Sequence, residues 1–76
     1  MNIKHRDKYI QLGLNISYYR KLKKFSQEYL AELADISRTH LSNIEAPNVD
    51  KSVSLDVLFD IADALDVPVS KLFELR

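Results

Sequence analysis

Apolar residues return every three or four positions along most of this chain, and serines stand just ahead of three of the apolar stripes. Tyr9, Leu12, Ile16 and Tyr19 form the first stripe and predict a helix from about Asp7 to Lys23. Gly13 lies inside it at a cost of about 1 kcal/mol relative to alanine, which marks a point where another helix comes close. Ser26 predicts the N-cap of a second helix, Gln27 to Ala34, with Leu30, Ala31 and Ala34 facing the core. Asp35-Ile36-Ser37 then reads as a tight turn. Asp tolerates the left-handed conformation, Ile36 points inward, and Ser37 caps a third helix from Arg38 to about Ala46. That helix buries Leu41 and Ile44 and turns Arg38, Thr39, Ser42 and Asn43 outward. Residues 47–53 read as a loop. Ser54 caps a fourth helix, Leu55 to Leu65, with a core stripe of Leu55, Leu58, Ile61, Ala62 and Leu65. Asp66-Val67-Pro68 is a turn, and Pro68 suits the first position of a short last helix, Val69 to about Glu74, that carries Leu72 and Phe73. The pattern predicts an all-α protein, a compact five-helix bundle forming a single domain over residues 1–76.

Composition narrows the class. With 76 residues, 46% hydrophobic and 29% charged, the chain is globular but small. A domain of this size buries only about 60% of the surface its unfolded chain exposes. Cysteine is absent, which excludes disulfides and thiolate metal sites and fits a reducing cytoplasm. No apolar run approaches the ~18 residues of a membrane span, and the start, Met1 to Arg6, lacks the apolar core of a signal peptide. Net charge is zero, but its distribution is lopsided. Residues 1–24 hold seven basic side chains against Asp7 alone, whereas residues 25–76 hold four basic and ten acidic ones. Such a dipolar chain can offer a basic face to phosphate while its far side stays acidic. Lys21, Lys23 and Lys24 lead into the second helix, where they add sequence-independent attraction for a polyanion or simply offset the helix dipole.

Two short helices joined by a tight turn, the second with small outward polar residues, describe a helix-turn-helix. The particular residues say more. Leu12-Gly13, Ile16, Tyr19-Arg20, Phe25-Ser26-Gln27-Glu28-Tyr29-Leu30-Ala31, Ile36-Ser37, Leu41, Ile44-Glu45, Leu58, Ile61-Ala62, Leu65, Val67 and Leu72-Phe73 together resemble the Cro and phage-repressor type of helix-turn-helix regulator. The likeness covers residues 12 to 73 and implies a lambda-repressor-like DNA-binding fold, with residues 1–11 extending the first helix. Lys4, Arg6 and Lys8 lie in that extension, the alternative being an arm along the DNA backbone.

The resemblance implies roles position by position. Gln27 stands where the family's glutamine meets a phosphate and supports the recognition helix. Arg38, Thr39 and Asn43 stand where the family reads base edges. Their chemistry suits base reading, since Arg donates twice to guanine, Asn pairs with adenine, and the Thr methyl meets a thymine methyl. Ser37, Ser42 and Lys24 are candidate phosphate contacts, while His40 reads as an exposed bystander. Arg20 and Glu45 occupy positions that form an internal ion pair in similar proteins. Where relatives often have glycine, this chain has Lys24, Asp35, Pro47 and Asp66. Lys and Asp can adopt the left-handed conformation at modest cost, but Pro47 cannot. The loop after the recognition helix must therefore take another path, with Asn48 and Lys51 as substitute phosphate contacts.

One such unit buries little surface on DNA, and relatives pair on two half-sites. The expectation is therefore a sequence-specific regulator of transcription that binds double-stranded DNA in the cytoplasm and acts as a homodimeric repressor on a two-half-site operator. Val57, Phe59, Val67, Val69, Phe73 and Leu75 are the candidate dimer contacts. The rival expectation is a protein-interaction module or antitoxin component with weak or no DNA binding of its own, so a protein partner stays open. An enzyme is not expected: two histidines, no cysteine and capping serines supply no nucleophile-base set. Asp56, Asp60 and Asp63 read as a solvated face rather than a metal site, and no cofactor or small-molecule substrate is implied.

Overall fold

The computed structural model describes residues 3–46 and 53–74. Among these it contains four α-helices: α1 (Arg6–Leu22), α2 (Gln27–Ala34), α3 (Arg38–Glu45) and α4 (Leu55–Leu65). A 3-10 turn, Ile3–His5, leads into α1, and a second, Val69–Phe73, closes the described chain. The expected fifth helix is thus not α-helical. Over this short segment the backbone closes the tighter i→i+3 link, from Lys71 N–H to Pro68 O (3.0 Å), as short terminal pieces commonly do. Pro68 precedes this turn in extended backbone instead of occupying its first position. None of the helices among the described residues is long and apolar enough to cross a membrane.

Three serines start three helices by the same chemistry. The hydroxyls of Ser26, Ser37 and Ser54 accept from the amides of Tyr29, His40 and Val57 at 3.0, 3.0 and 3.2 Å. Three of the helix ends are alike as well. Lys24, Asp35 and Asp66 take φ values of 61°, 58° and 57°. Each is followed by an apolar residue, Phe25, Ile36 or Val67, whose amide bonds back to Arg20, Ala31 or Ala62 while its side chain packs against the core. The left-handed stop lets the chain reverse, and the apolar residue behind it anchors the reversal. The end of α3 differs. Ala46 is extended (φ −79°, ψ 125°), as a residue before proline must be. Pro47, Asn48 and Lys51 lie outside the described residues.

The core gathers one stripe from each helix: Leu12 and Ile16 from α1, Leu30, Ala31 and Ala34 from α2, Leu41 and Ile44 from α3, Leu58, Ile61, Ala62 and Leu65 from α4, with Leu72 from the last turn. Leu55 departs from its expected place. It is the first residue of α4, at the edge of the stripe where the helix leaves the core, and 61% of it stays exposed. Gly13 explains how α1 and α3 come together: a Cβ there would run into the carbonyl oxygen of Ile44 and sit 3.3 Å from the Cα of Glu45. Only glycine lets the α1 backbone touch α3.

Candidate nucleic-acid interface

The buried residues of α3 decide which of its residues face out. Leu41, Ile44 and Glu45 are held inward, which leaves Arg38, Thr39 and Ser42 exposed and His40 and Asn43 half-buried. Arg38 and Thr39 lie in the first turn and Asn43 one turn beyond Thr39, so the three share the outward side of one short helix. Ser37 sits at the mouth of the helix. Its oxygen accepts from His40, and its hydroxyl proton is still free to donate.

A polar network sets the angle of α3. Glu45 is 8% exposed, and its carboxylate is shared among three donors. Arg20 Nε donates to Oε2 at 2.8 Å, an Arg20 terminal nitrogen to Oε1 at 3.0 Å, and Gln27 Nε2 to the same Oε1 at 3.0 Å. The other terminal nitrogen of Arg20 donates to the carbonyl of Phe25 at 2.8 Å. The end of α1, the turn, the start of α2 and the end of α3 are therefore tied at one point. A planar guanidinium suits such a junction because its donors form a fixed fork. Taking both charges out of water is costly, so the pair is better understood as fixing geometry than as adding stability. It also neutralises the one carboxylate that α3 carries.

Gln27 joins this network through one N–H, which leaves its other N–H for an outside acceptor. Lys24 is exposed at the left-handed stop, beside Lys21 and Lys23, which are exposed too. The basic residues of α1 thus continue into the turn before α2. Asn48 and Lys51 lie outside the described residues and join no described arrangement.

The apolar candidates for self-association divide. Phe59 and Phe73 are 46% and 54% exposed. Val57, Val67 and Val69 are half-buried and pack against the core, so each has part of its surface already used. Leu75 lies outside the described residues.

One polar residue escapes a reading of the sequence. Asn15 is completely buried in α1, and its side-chain amide donates to the carbonyls of Leu72 (2.9 Å) and Glu74 (2.6 Å). Its own oxygen accepts from Gln11 Nε2 at 3.0 Å. The signal available is its phase: Asn15 falls three residues after Leu12 and four before Tyr19, inside the apolar stripe.

With this geometry in hand, known proteins fall into place beside it. A family described as helix-turn-helix matches residues 16–72. The control protein C.SmaI of Serratia marcescens is 36% identical over 61 residues, which span 80% of this chain and 70% of that protein. The transcriptional regulator SinR of Bacillus subtilis is 36% identical over 63 residues, and the match spans 56% of its length. Among solved structures, the restriction-modification controller C.AhdI from Aeromonas hydrophila superposes with a TM-score of 0.84 at 30% identity, covering 91% of this chain and 97% of that one. A structure of the biofilm master regulator SinR in complex with DNA superposes with a TM-score of 0.76 at 36% identity, covering 83% and 98%.

Proposed function

The chain belongs to the helix-turn-helix family, of the Cro and phage-repressor type, and from that premise we propose that it is a transcriptional repressor that binds a two-half-site operator in double-stranded DNA as a homodimer. The observation that carries the reading is the outward set of Arg38, Thr39 and Asn43 on a helix whose angle is fixed by the Arg20–Glu45–Gln27 network. SinR, similar in sequence and in fold, is seen with DNA.

In this reading α3 enters the major groove. Arg38 and Asn43 donate to base edges, and Thr39 offers a methyl group to thymine. The N-terminus of α2 faces a phosphate, where Gln27 contributes its second N–H, and Ser37, Ser42 and Lys24 meet neighbouring phosphates. Phosphate contacts position the protein without reading sequence, so specificity rests on the three α3 residues. Phe59 and Phe73, with the remaining surface of Val57, Val67 and Val69 and with Leu75, supply the isologous contact that spaces two copies of α3 by about one helical turn of DNA.

Binding to a random DNA pool at two salt concentrations tests the reading. A phosphate-driven, base-reading protein loses affinity steeply as salt rises yet still enriches particular sequences. Arg38→Ala is expected to cost roughly 1–3 kcal/mol on the enriched sequence and to relax one position of it. Affinity that ignores both salt and sequence would count against DNA as the partner.

A further inference from the structure

Beside the start of α1 the surface opens into a cleft of about 390 Å³, within the range of about 300–1,000 Å³ that small-molecule sites occupy. Leu12 from α1 and Leu58 from α4, both buried, belong at once to the core and to the lining of this cleft. Tyr9 from α1, Leu55 from α4 and Phe73 from the last turn complete its apolar part. Leu55 and Phe73 are more than half exposed. Two large apolar side chains therefore stand in water around a hydrocarbon-lined hollow, and a body that covers both takes their apolar surface out of solvent.

The charge of the lining selects the kind of body. Its polar groups are His5, Lys8 and the Tyr9 hydroxyl, and no carboxylate joins them, although the chain has 11 acidic residues. A groove between α2 and α4 is the reverse, with Asp35, Asp60 and Asp63 in its lining and no basic residue. The first cleft thus favours an anion where the second favours a cation. Lys8, Leu12 and Phe73 also line an adjoining cleft of about 280 Å³ that reaches Gln11 and Leu72. The apolar surface therefore continues from one cleft into the next, with Lys8 common to both. Such an elongated run suits a chain better than a compact ring system, and a lysine ammonium on its flexible stem can meet the head group.

We propose that this cleft binds a medium-chain carboxylate, with its hydrocarbon chain against Leu12, Leu55, Leu58 and Phe73 and its carboxylate accepting from Lys8 and His5. No residue of α2 or α3 lines the cleft, so the site stands independently of base reading by α3.

The test is a titration of the isotope-labelled chain with decanoate, decanol and decylammonium, each below its limit of aggregation, followed by nuclear magnetic resonance. Decanoate is expected to shift the methyl signals of Leu12, Leu55 and Leu58 saturably, at one molecule per chain. Decanol should bind about fivefold more weakly, the upper end for a partly exposed ion pair, and decylammonium more weakly still. Lys8 is exposed, so Lys8→Gln leaves the fold intact and should bring decanoate down to the affinity of decanol. Absence of a saturable shift at these leucines overturns the site. Equal affinity for the three compounds, or decanoate binding that ignores Lys8→Gln, overturns the choice of an anion. The same methyl shifts on raising the protein concentration without any additive would assign the cleft to a second copy of the chain, and would overturn the proposal as well.

Discussion

The two halves of α1 are fastened to the rest of the molecule by different chemistry. Near its middle, Asn15 ties it to the C-terminal turn with a neutral amide that no water reaches. Near its end, Arg20 ties it to α3 with a full charge, its side chain 11% exposed and paired with a Glu45 side chain 5% exposed. A neutral amide can be wholly buried at modest cost once its hydrogen bonds are made, because no ion loses its hydration. A guanidinium cannot, so it sits nearer the edge and carries its counter-ion with it. The difference follows from position. The Asn15 lock lies in the core, where it ties the C-terminal turn to α1. The Arg20 lock lies at the root of α3, where it sets that helix's direction and cancels a negative charge.

The largest expected effect breaks the charged lock. Glu45→Ala leaves Arg20 without its carboxylate in a largely buried site and is expected to cost about 3 kcal/mol in denaturant unfolding. Glu45→Gln, which keeps the shape of the carboxylate but only one of its oxygens, should recover part of that loss. If Glu45→Ala leaves the unfolding midpoint unmoved, the network is decorative and the comparison between the locks fails.

Gly13→Ala comes next. The new methyl meets the Ile44 carbonyl, forcing α1 and α3 apart, and overpacking of this kind is expected to cost about 2 kcal/mol despite alanine's better helix propensity. A gain in stability would show that the helices can separate freely, and that their spacing is not set at Gly13.

Ser37→Ala removes the cap of α3 at an expected cost of about 1 kcal/mol, measured by thermal unfolding. The same size of effect, with opposite sign, is expected at the first left-handed stop. Lys24→Gly relieves a positive φ and should add about 1 kcal/mol, while weakening DNA binding if Lys24 meets a phosphate. Stability and affinity moving together at this position would argue that Lys24 acts through the fold alone.

Much of this architecture could be seen in the order of residues. The serine caps and the aspartates that stop α2 and α4 are local devices whose partners lie within five residues, so the sequence shows both ends of α2 and α4 and the start of α3. Gly13 was legible as a close approach because glycine inside a helix needs a reason. The Arg20 and Glu45 positions came into view through the family resemblance, since their partnership spans 25 residues and periodicity cannot pair them. Leu55 and the last turn depart from what their pattern predicts. Whether a leucine at the first position of a helix reaches the core depends on where the chain enters, and a five-residue turn carries too little pattern to tell 3-10 from α. The role of Asn15 is not legible in the sequence because its partners are backbone carbonyls 57 and 59 residues away, and every residue has such a carbonyl whatever its side chain.

Base reading by the outward side of α3 is the claim on which the rest depends. Selecting bound sites from fully random duplexes, in parallel for the intact protein and for Arg38→Ala, tests it directly. The intact protein should enrich a two-fold symmetric site with half-sites about one helical turn apart, and Arg38→Ala should enrich the same site with one symmetric pair of positions relaxed. Identical enriched sites from both proteins, or no enrichment from either, would contradict it.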